Sequence, residues 1–274
     1  MWTIDFDRNI CVDCGECVKV CSRRALTMGE NGPMAVEDAA ERCFHCQHCM
    51  CVCPTGAVTV EGVGAKDCPA DGRRAKDDEL LNLIRMRRSC RIFKAENLEK
   101  DTLDKLVGML PYSPTGVNSR TLKFSVVDDV KKMDEIRRIS AEKLLHAFEM
   151  PEIPAGAVKF LAMKNALQKG INPIFRNAPH LLAVSCPDET PCRTIDPIIA
   201  LSYFELYANS MNVGTLWCGL AKWLIDDYMP ELLNMLDIPA GYSLGYIMLF
   251  GPADVEYKRA PVRTMPPECI ARIH

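Results

Sequence analysis

Eight cysteines near the start of the chain constrain it more than any other feature. They stand at 11, 14, 17 and 21 and again at 43, 46, 49 and 53, so both quartets read C-x2-C-x2-C-x3-C. Each member of the second lies 32 residues after its counterpart. The echo runs past the cysteines, since Ala25-Leu26-Thr27 is matched by Ala57-Val58-Thr59. This is an internal duplication. Ten of the 15 cysteines fall within the first 68 of 274 residues, which divides the chain by composition into a thiol-rich piece and a longer remainder. An odd count fits a disulfide framework poorly. Met1-Trp2-Thr3-Ile4-Asp5-Phe6-Asp7-Arg8 lacks the basic stretch and apolar run of a signal peptide. The expected setting is a reducing cytoplasm, where dense cysteines mean metal or redox chemistry.

The rest of the composition excludes several classes. With 48% hydrophobic and 25% charged residues and a formal net charge of −3, the chain is no disordered tail, coiled coil or polybasic nucleic-acid binder. No window approaches 18 uninterrupted apolar residues, so no membrane span is expected.

A [4Fe–4S] cluster needs four thiolates converging on one small object. A C-x2-C-x2-C turn supplies three of them, and in a run of this kind the fourth cysteine ligates the other cluster. Cluster I is therefore assigned Cys11, Cys14, Cys17 and Cys53, and cluster II Cys43, Cys46, Cys49 and Cys21. Over residues 1–62 the segment resembles a bacterial two-cluster ferredoxin; Pro54 completes the C-P ending of the second run, while Ser22 replaces proline in the first. Zinc knuckles drawing on His45 and His48 are the plain alternative, but zinc sites use two ligand pairs separated by a longer loop. Cys51 and Cys68 read as small packing residues. Thr3–Asp7 and Ala57–Glu61 are expected to pair as strands, with Ile10, Val12, Val18, Val20, Phe44 and Val52 as an apolar jacket. About 60 residues make a marginal core, so the clusters are expected to staple this piece. Residues 1–65 carry nine acids against five Lys and Arg, an anionic surface that steers encounters with basic partners.

Residues 63–76, rich in Gly, Pro and mixed charge, read as a linker, and a second domain is expected over 77–274. The spacing predicts helices near 79–88, 98–110, 130–148, 155–169, 194–212 and 228–236. Strand-like runs are Leu122–Val127, His180–Ser185, Thr215–Cys218 and Leu244–Phe250. Helices and strands do not alternate strictly, which favours α+β over a doubly wound sheet. Neither G-x-G-x-x-G nor G-x-x-x-x-G-K-[ST] is present.

Four separated segments carry the signal of this second piece. They are Arg87-Arg88-Ser89-Cys90-Arg91-Ile92-Phe93, the turn from Pro111 to Arg120, Gly214-Thr215-Leu216-Trp217-Cys218-Gly219, and Tyr257-Lys258-Arg259-Ala260-Pro261-Val262-Arg263. In this order they resemble the nitroreductase family of FMN flavoproteins. That resemblance implies a central, mostly antiparallel sheet flanked by helices and FMN at the interface of a homodimer. It assigns the phosphate to Arg87, Lys258 and Arg259, since a phosphate dianion wants guanidinium and ammonium donors. It gives Arg88 and Ser89 the ribityl chain or pyrimidine edge, and places Arg91 beside flavin N1, where a cation favours the reduced cofactor. Pro114, Thr115, Gly116 and Asn118 are expected to reach the flavin of the partner subunit. Leu216, Trp217, Cys218 and Gly219 are expected to cover one flavin face, with the amide near Cys218 meeting N5. Arg120 and Lys123 depart from the family pattern. Taken singly, the arginines also read as a cationic last helical turn and Trp217 as core.

Joining the two pieces implies electrons from an external donor (ferredoxin, flavodoxin or NAD(P)H), two [4Fe–4S] clusters, FMN, and an electron-poor small organic acceptor of nitroaromatic type. Covalent linkage removes the diffusional encounter. The resemblance further implies ping-pong use of one site, with flavin N5 itself as the reacting group. Two alternatives remain open at this point. One is a non-catalytic electron carrier or redox sensor acting on a protein partner. The other is a specialised flavin reaction, namely reductive dehalogenation, enoate reduction or flavin-ring cleavage.

Overall fold

A computed structural model describes residues 2–69, 72–266 and 269–273; Ala70 and Asp71, inside the expected linker, lie outside the described residues. The chain separates into two compact units, residues 1–74 with 117–119, and residues 75–116 with 120–274. No helix among the described residues is long and apolar enough to cross a membrane.

In the first unit, β1 (Ile4–Phe6), α1 (Glu16–Val20), β2 (Leu26–Gly29), β3 (Gly32–Ala35), α2 (Ala39–Arg42), α3 (His48–Cys51) and β4 (Val58–Val60) follow in order. Strand β1 pairs antiparallel with β4 and β2 with β3, so each copy of the repeat contributes to both ends of the unit. The backbone repeats with the cysteines. Left-handed residues occur at Asp13 and His45, at Gly15 and Gln47, and at Arg24 and Gly56, every pair 32 apart. Each is where the chain must turn sharply beside a cysteine. Buried Cys17, Leu26, Met50, Val58 and Val60 form the core. The expected apolar jacket needs correction at two positions, because Ile10 and Val12 are 44% and 63% exposed.

The second unit runs through α4 (Asp77–Met86), α5 (Lys100–Gly108), β5 (Lys123–Val127), α6 (Val130–Ala147), α7 (Ala155–Val158), α8 (Lys164–Gln168) and β6 (His180–Pro187). It continues with α9 (Asp196–Ser210), β7 (Val213–Trp217), α10 (Gly219–Asp227), α11 (Leu232–Met235) and β8 (Tyr242–Pro252). One sheet of order β5-β6-β8-β7, antiparallel throughout, organises it. Alternation splits the strands between two cores. Leu181, Ala183, Ile247 and Leu249 pack on one face with α6 and α10, and Leu182, Val184, Met248 and Phe250 on the other with α5 and α9. Burial on both faces explains why β6 reads as an unbroken apolar run. The helix expected over 155–169 is broken, with a 3-10 turn at Leu161–Met163 following the fully buried Phe160. The helix expected over 228–236 shrinks to α11, and α10 stands where none was expected.

His180, wholly buried at the start of β6, accepts a hydrogen bond at Nε2 from the Leu98 amide (2.9 Å), and its ring lies 5.1 Å from that of Phe250. Burial pushes its pKa below the ordinary 6.5, against the opposing pull of the Val127 backbone and of Asp128 and Asp129. Below pH 6.5 the unfolded chain binds a proton that the folded chain refuses, so stability falls as the pH drops. In urea unfolding followed by tryptophan fluorescence, that slope, at most about 1.4 kcal/mol per pH unit, should flatten in His180→Gln. An unchanged slope would show that His180 does not carry it.

Candidate functional site

The first unit gathers its ladder cysteines around two cavities. Cys11, Cys14, Cys17 and Cys53 line one, together with Val12, Gly15, Pro33, Pro54, Thr55 and Val58. Cys21, Cys43, Cys46 and Cys49 line the other, with Arg23, Phe44, Gln47 and His48 on its wall. Each cavity thus takes three cysteines from one ladder and the fourth from the other. Among the described residues no three His, Cys, Asp or Glu side chains converge closely enough for a single metal ion. A zinc ion would need sulfurs about 2.3 Å from one point. The quartets instead stand around their cavities without converging on one point, and four sulfur donors so arranged suit an iron–sulfur cubane.

Backbone amides point at the sulfurs. Ala25 N–H donates to Cys21 Sγ (3.3 Å), and its repeat equivalent Ala57 N–H donates to Cys53 Sγ (3.2 Å). His45 N–H donates to Cys43 Sγ (3.3 Å). Such donors stabilise thiolate charge. At Cys53 burial works against ionisation, but the Thr55 hydroxyl and the amides of Thr55, Ala57 and Val58 outweigh it and lower the pKa. Burial dominates at Cys49 and pushes it up to about 11.

The second unit brings three of the four motifs together. After α4 the chain laces onto the sheet. Ser89 bridges Thr215, Cys90 N–H donates to Thr215 O (2.8 Å), and Phe93 bridges Ala253. Gly214 allows that approach, since a Cβ there would stand 2.8 Å from Cys90 Sγ. The result is a cleft of about 560 Å³ lined by Arg87, Arg88, Asn209, Gly214, Glu256 and Tyr257 among others. Tyr257 Oη donates to Ser89 O (3.4 Å), tying the C-terminal basic segment to the arginine turn.

The electrostatics of the cleft are those of an anion site. Arg87 pairs with the buried carboxylate of Glu205 (2.9 Å), and Asn209 Nδ2, which also donates to Glu205 O within the helix (2.8 Å), holds that helix to β7 through Thr215 Oγ1 (2.9 Å). Burial and the like charges of Arg87 and Arg263 pull the Arg88 guanidinium below its ordinary pKa. Three guanidiniums therefore share one neighbourhood, where an anion relieves their repulsion.

The remaining expected residues fall elsewhere. Lys258 pairs with Glu256, and neither Lys258 nor exposed Arg259 lines the cleft. Arg91 is exposed, its Nη1 3.5 Å from Ser89 O. Leu216 and Trp217 face opposite cores, and Trp217 packs edge-on to Tyr246 with centroids 5.4 Å apart. Gly219 lies against the Tyr246 hydroxyl, which a Cβ would approach to 2.9 Å. The expected role of the Cys218 amide needs correction: that N–H donates to Ile247 O (2.9 Å) in continuation of the sheet and is spent. The amides of the first turn of α10 lack intrahelical partners and are the donors left there. In the second motif, Gly116 N–H is held by both carboxylate oxygens of buried Asp196 (3.0 and 3.1 Å), while Pro114 and Thr115 lie outside the cleft lining. Asn118 belongs compactly with the first unit, where its Nδ2 donates to Phe44 O (2.7 Å). Glu205, Asn209, Asp196 and Arg263 went unassigned in the sequence. A lone acid in the otherwise apolar run Ile198–Ala208 was the available sign for Glu205.

Cys218 is buried, donates through Sγ to Ile174 O (3.2 Å), and has its pKa pushed by burial up to about 11. At pH 8 only about one thiol in a thousand is then ionised. Iodoacetamide on the native protein, read by mass spectrometry, should modify exposed Cys269 and spare Cys218 until the chain unfolds. Equal labelling of the two would overturn the inert assignment.

With this geometry the comparisons agree. The profile of the nitroreductase family matches residues 84–252, and that of a 4Fe-4S dicluster domain matches residues 10–57. An uncharacterized ferredoxin of Methanocaldococcus jannaschii is 39% identical over 62 residues, 22% of this chain and 79% of that protein. A nitroreductase with bound FMN from Bacteroides fragilis superposes with a TM-score of 0.57 at 19% identity, covering 72% of this chain and 99% of that one. Its counterpart from Desulfitobacterium hafniense, also with bound FMN, gives 0.56 at 22% identity over 72% and 98%. These two likenesses are of fold.

Proposed function

The chain belongs to the nitroreductase family and carries a 4Fe-4S dicluster domain, and from that premise we propose an FMN-dependent oxidoreductase. It takes electrons in at two [4Fe–4S] clusters and delivers them to an electron-poor small organic acceptor. What carries the reading is the presence on one chain of two four-thiolate cavities and a cleft rimmed by guanidiniums. Bound FMN supplies the exchange between single electrons and hydride, and the clusters supply one-electron storage.

The chain's own residues do the rest. Cys11, Cys14, Cys17 and Cys53 hold cluster I, and Cys21, Cys43, Cys46 and Cys49 hold cluster II. Arg87, Arg88 and Arg263 bind the FMN phosphate, with Glu205 fixing the Arg87 guanidinium in place. Arg263 is placed ahead of Lys258 and Arg259 in that role because its charge acts on Arg88, while Lys258 is engaged at the surface by Glu256. A ferredoxin, a flavodoxin or NAD(P)H serves as donor. Two copies associate, for the amphipathic helix α4 buries none of its residues and leaves Leu80, Leu81 and Ile84 exposed, as α9 leaves Tyr203 and Tyr207.

Anaerobic purification followed by metal, sulfide and flavin analysis should find about eight irons and one FMN per chain. Zinc, or no flavin, would overturn the reading. Arg263→Ala leaves no buried carboxylate unpaired and should weaken FMN retention about tenfold or more, as expected for one charge-assisted hydrogen bond. Arg259→Ala should change it little. Equal retention in both variants would remove Arg263 from the site. Reoxidation of the reduced protein by nitroaromatic acceptors should be complete and catalytic; reoxidation only by a protein partner would favour a carrier instead.

A further inference from the structure

The two cysteine quartets are copies of one unit, so each difference between their surroundings stands out against an internal control. Position 23 in the first repeat corresponds to 55 in the second, 12 to 44, and 13 to 45, all offset by 32. Beside the cavity of Cys11, Cys14, Cys17 and Cys53 these places hold Thr55 and Val12, both uncharged. Beside the cavity of Cys21, Cys43, Cys46 and Cys49 they hold Arg23 and Phe44. The Arg23 guanidinium lies 4.6 Å from the centroid of the Phe44 ring, and its Nε donates to Arg42 O (3.2 Å). A ring face and a carbonyl fix the cation against the cavity wall, and no carboxylate is paired with it among the described residues.

The third position differs in the same sense. Asp13 brings a carboxylate oxygen to 3.4 Å from Cys11 Sγ, whereas its equivalent His45 faces Glu61 (2.9 Å). Arg8 also reaches the first cavity, donating to Pro33 O (2.7 Å), but Asp13 shares with it the space over Gly32 and offsets its charge. The charges at the rim of the first cavity therefore cancel, whereas the second carries an uncompensated positive one.

Reducing a [4Fe–4S] cluster adds one electron, no proton, and one unit of negative charge. A fixed cation beside it favours that step and a fixed anion opposes it. We infer that Arg23 makes the cluster held by Cys21, Cys43, Cys46 and Cys49 the higher-potential member of the pair, so that it takes the first electron from a one-electron donor. This rests on reading the quartets as cluster ligands. The order is set by charge on the wall and not by the ligands, which the duplication leaves identical.

The test is equilibrium reduction of the full holo-chain under anaerobic conditions, with each cluster followed by electron paramagnetic resonance. Two waves are expected. Arg23→Met keeps the packing on Phe44 and removes the charge. It should lower only the upper wave, cutting its reduced-to-oxidised ratio at fixed potential by about three- to tenfold, tenfold being 59 mV for one electron. Arg23→Lys should restore most of the shift, and Asp13→Asn should raise only the lower wave. Because Arg23 is exposed, about 1 M salt should shrink the difference between wild type and Arg23→Met. With eight irons present, an unmoved pair of waves, equal movement of both, or movement of the lower wave by Arg23→Met would overturn the inference. If Arg23→Met loses iron, Asp13→Asn decides the matter: a lower wave that stays put overturns it. Fewer than eight irons in the wild type would overturn the cluster reading itself.

Discussion

Neither cysteine ladder can complete its own cavity. A tight C-x2-C-x2-C loop presents three sulfurs to one side, and the fourth cysteine, at the end of the short helix that follows, is carried toward the other copy. Each repeat therefore depends on its twin for a corner of the site. That exchange ties the termini of the unit together through the pairing of β1 with β4. The left-handed residues that repeat at an interval of 32 are the backbone's answer to the same demand, turning the chain sharply where a sulfur must point inward.

The second unit solves a different problem, that of fixing positive charge at the edge of an apolar sheet. Strands β6 and β8 are buried on both faces and can offer little polar chemistry themselves. The charge arrives from segments laced onto the edge of the sheet. Ser89 and Cys90 add to β7, Tyr257 ties down the C-terminal segment, and Glu205 on α9 receives Arg87. A buried carboxylate of this kind is costly unless paired, and its pairing orders an arginine that would otherwise wave in solvent.

Much of this was legible in the residues themselves. Spacing of 3-3-4, twice, predicts the two quartets, because in runs of this kind the fourth cysteine serves the other site, and the two cavities gather those same sets. The four sheet strands were legible because each carries a β-branched or apolar run of strand length. Helix α10 was missed although Ala221, Leu224 and Ile225 keep helical spacing, since Trp223 and the preceding glycine disguised it. The β2–β3 hairpin turns through Glu30-Asn31 with left-handed Gly32 opening the second strand, a signal too short to stand out beside the cysteines.

By itself, the sequence determined what is carried by short-range periodicity: the duplication, the grouping of its cysteines into two quartets, the two-piece organisation and the family. Only the tertiary structure decided which members of each motif act together. Cys218 N–H is consumed by the sheet, Glu205 receives Arg87, the charge of Arg263 acts on Arg88, and Arg23 stands at one cavity while its repeat equivalent, a threonine, stands at the other. The physical reason is range. Ligand spacing is dictated by a few successive bonds, whereas the charge felt at a site depends on groups distant along the chain, as Glu205 is from Arg87 and Arg263 from Arg88, and no local pattern records that distance.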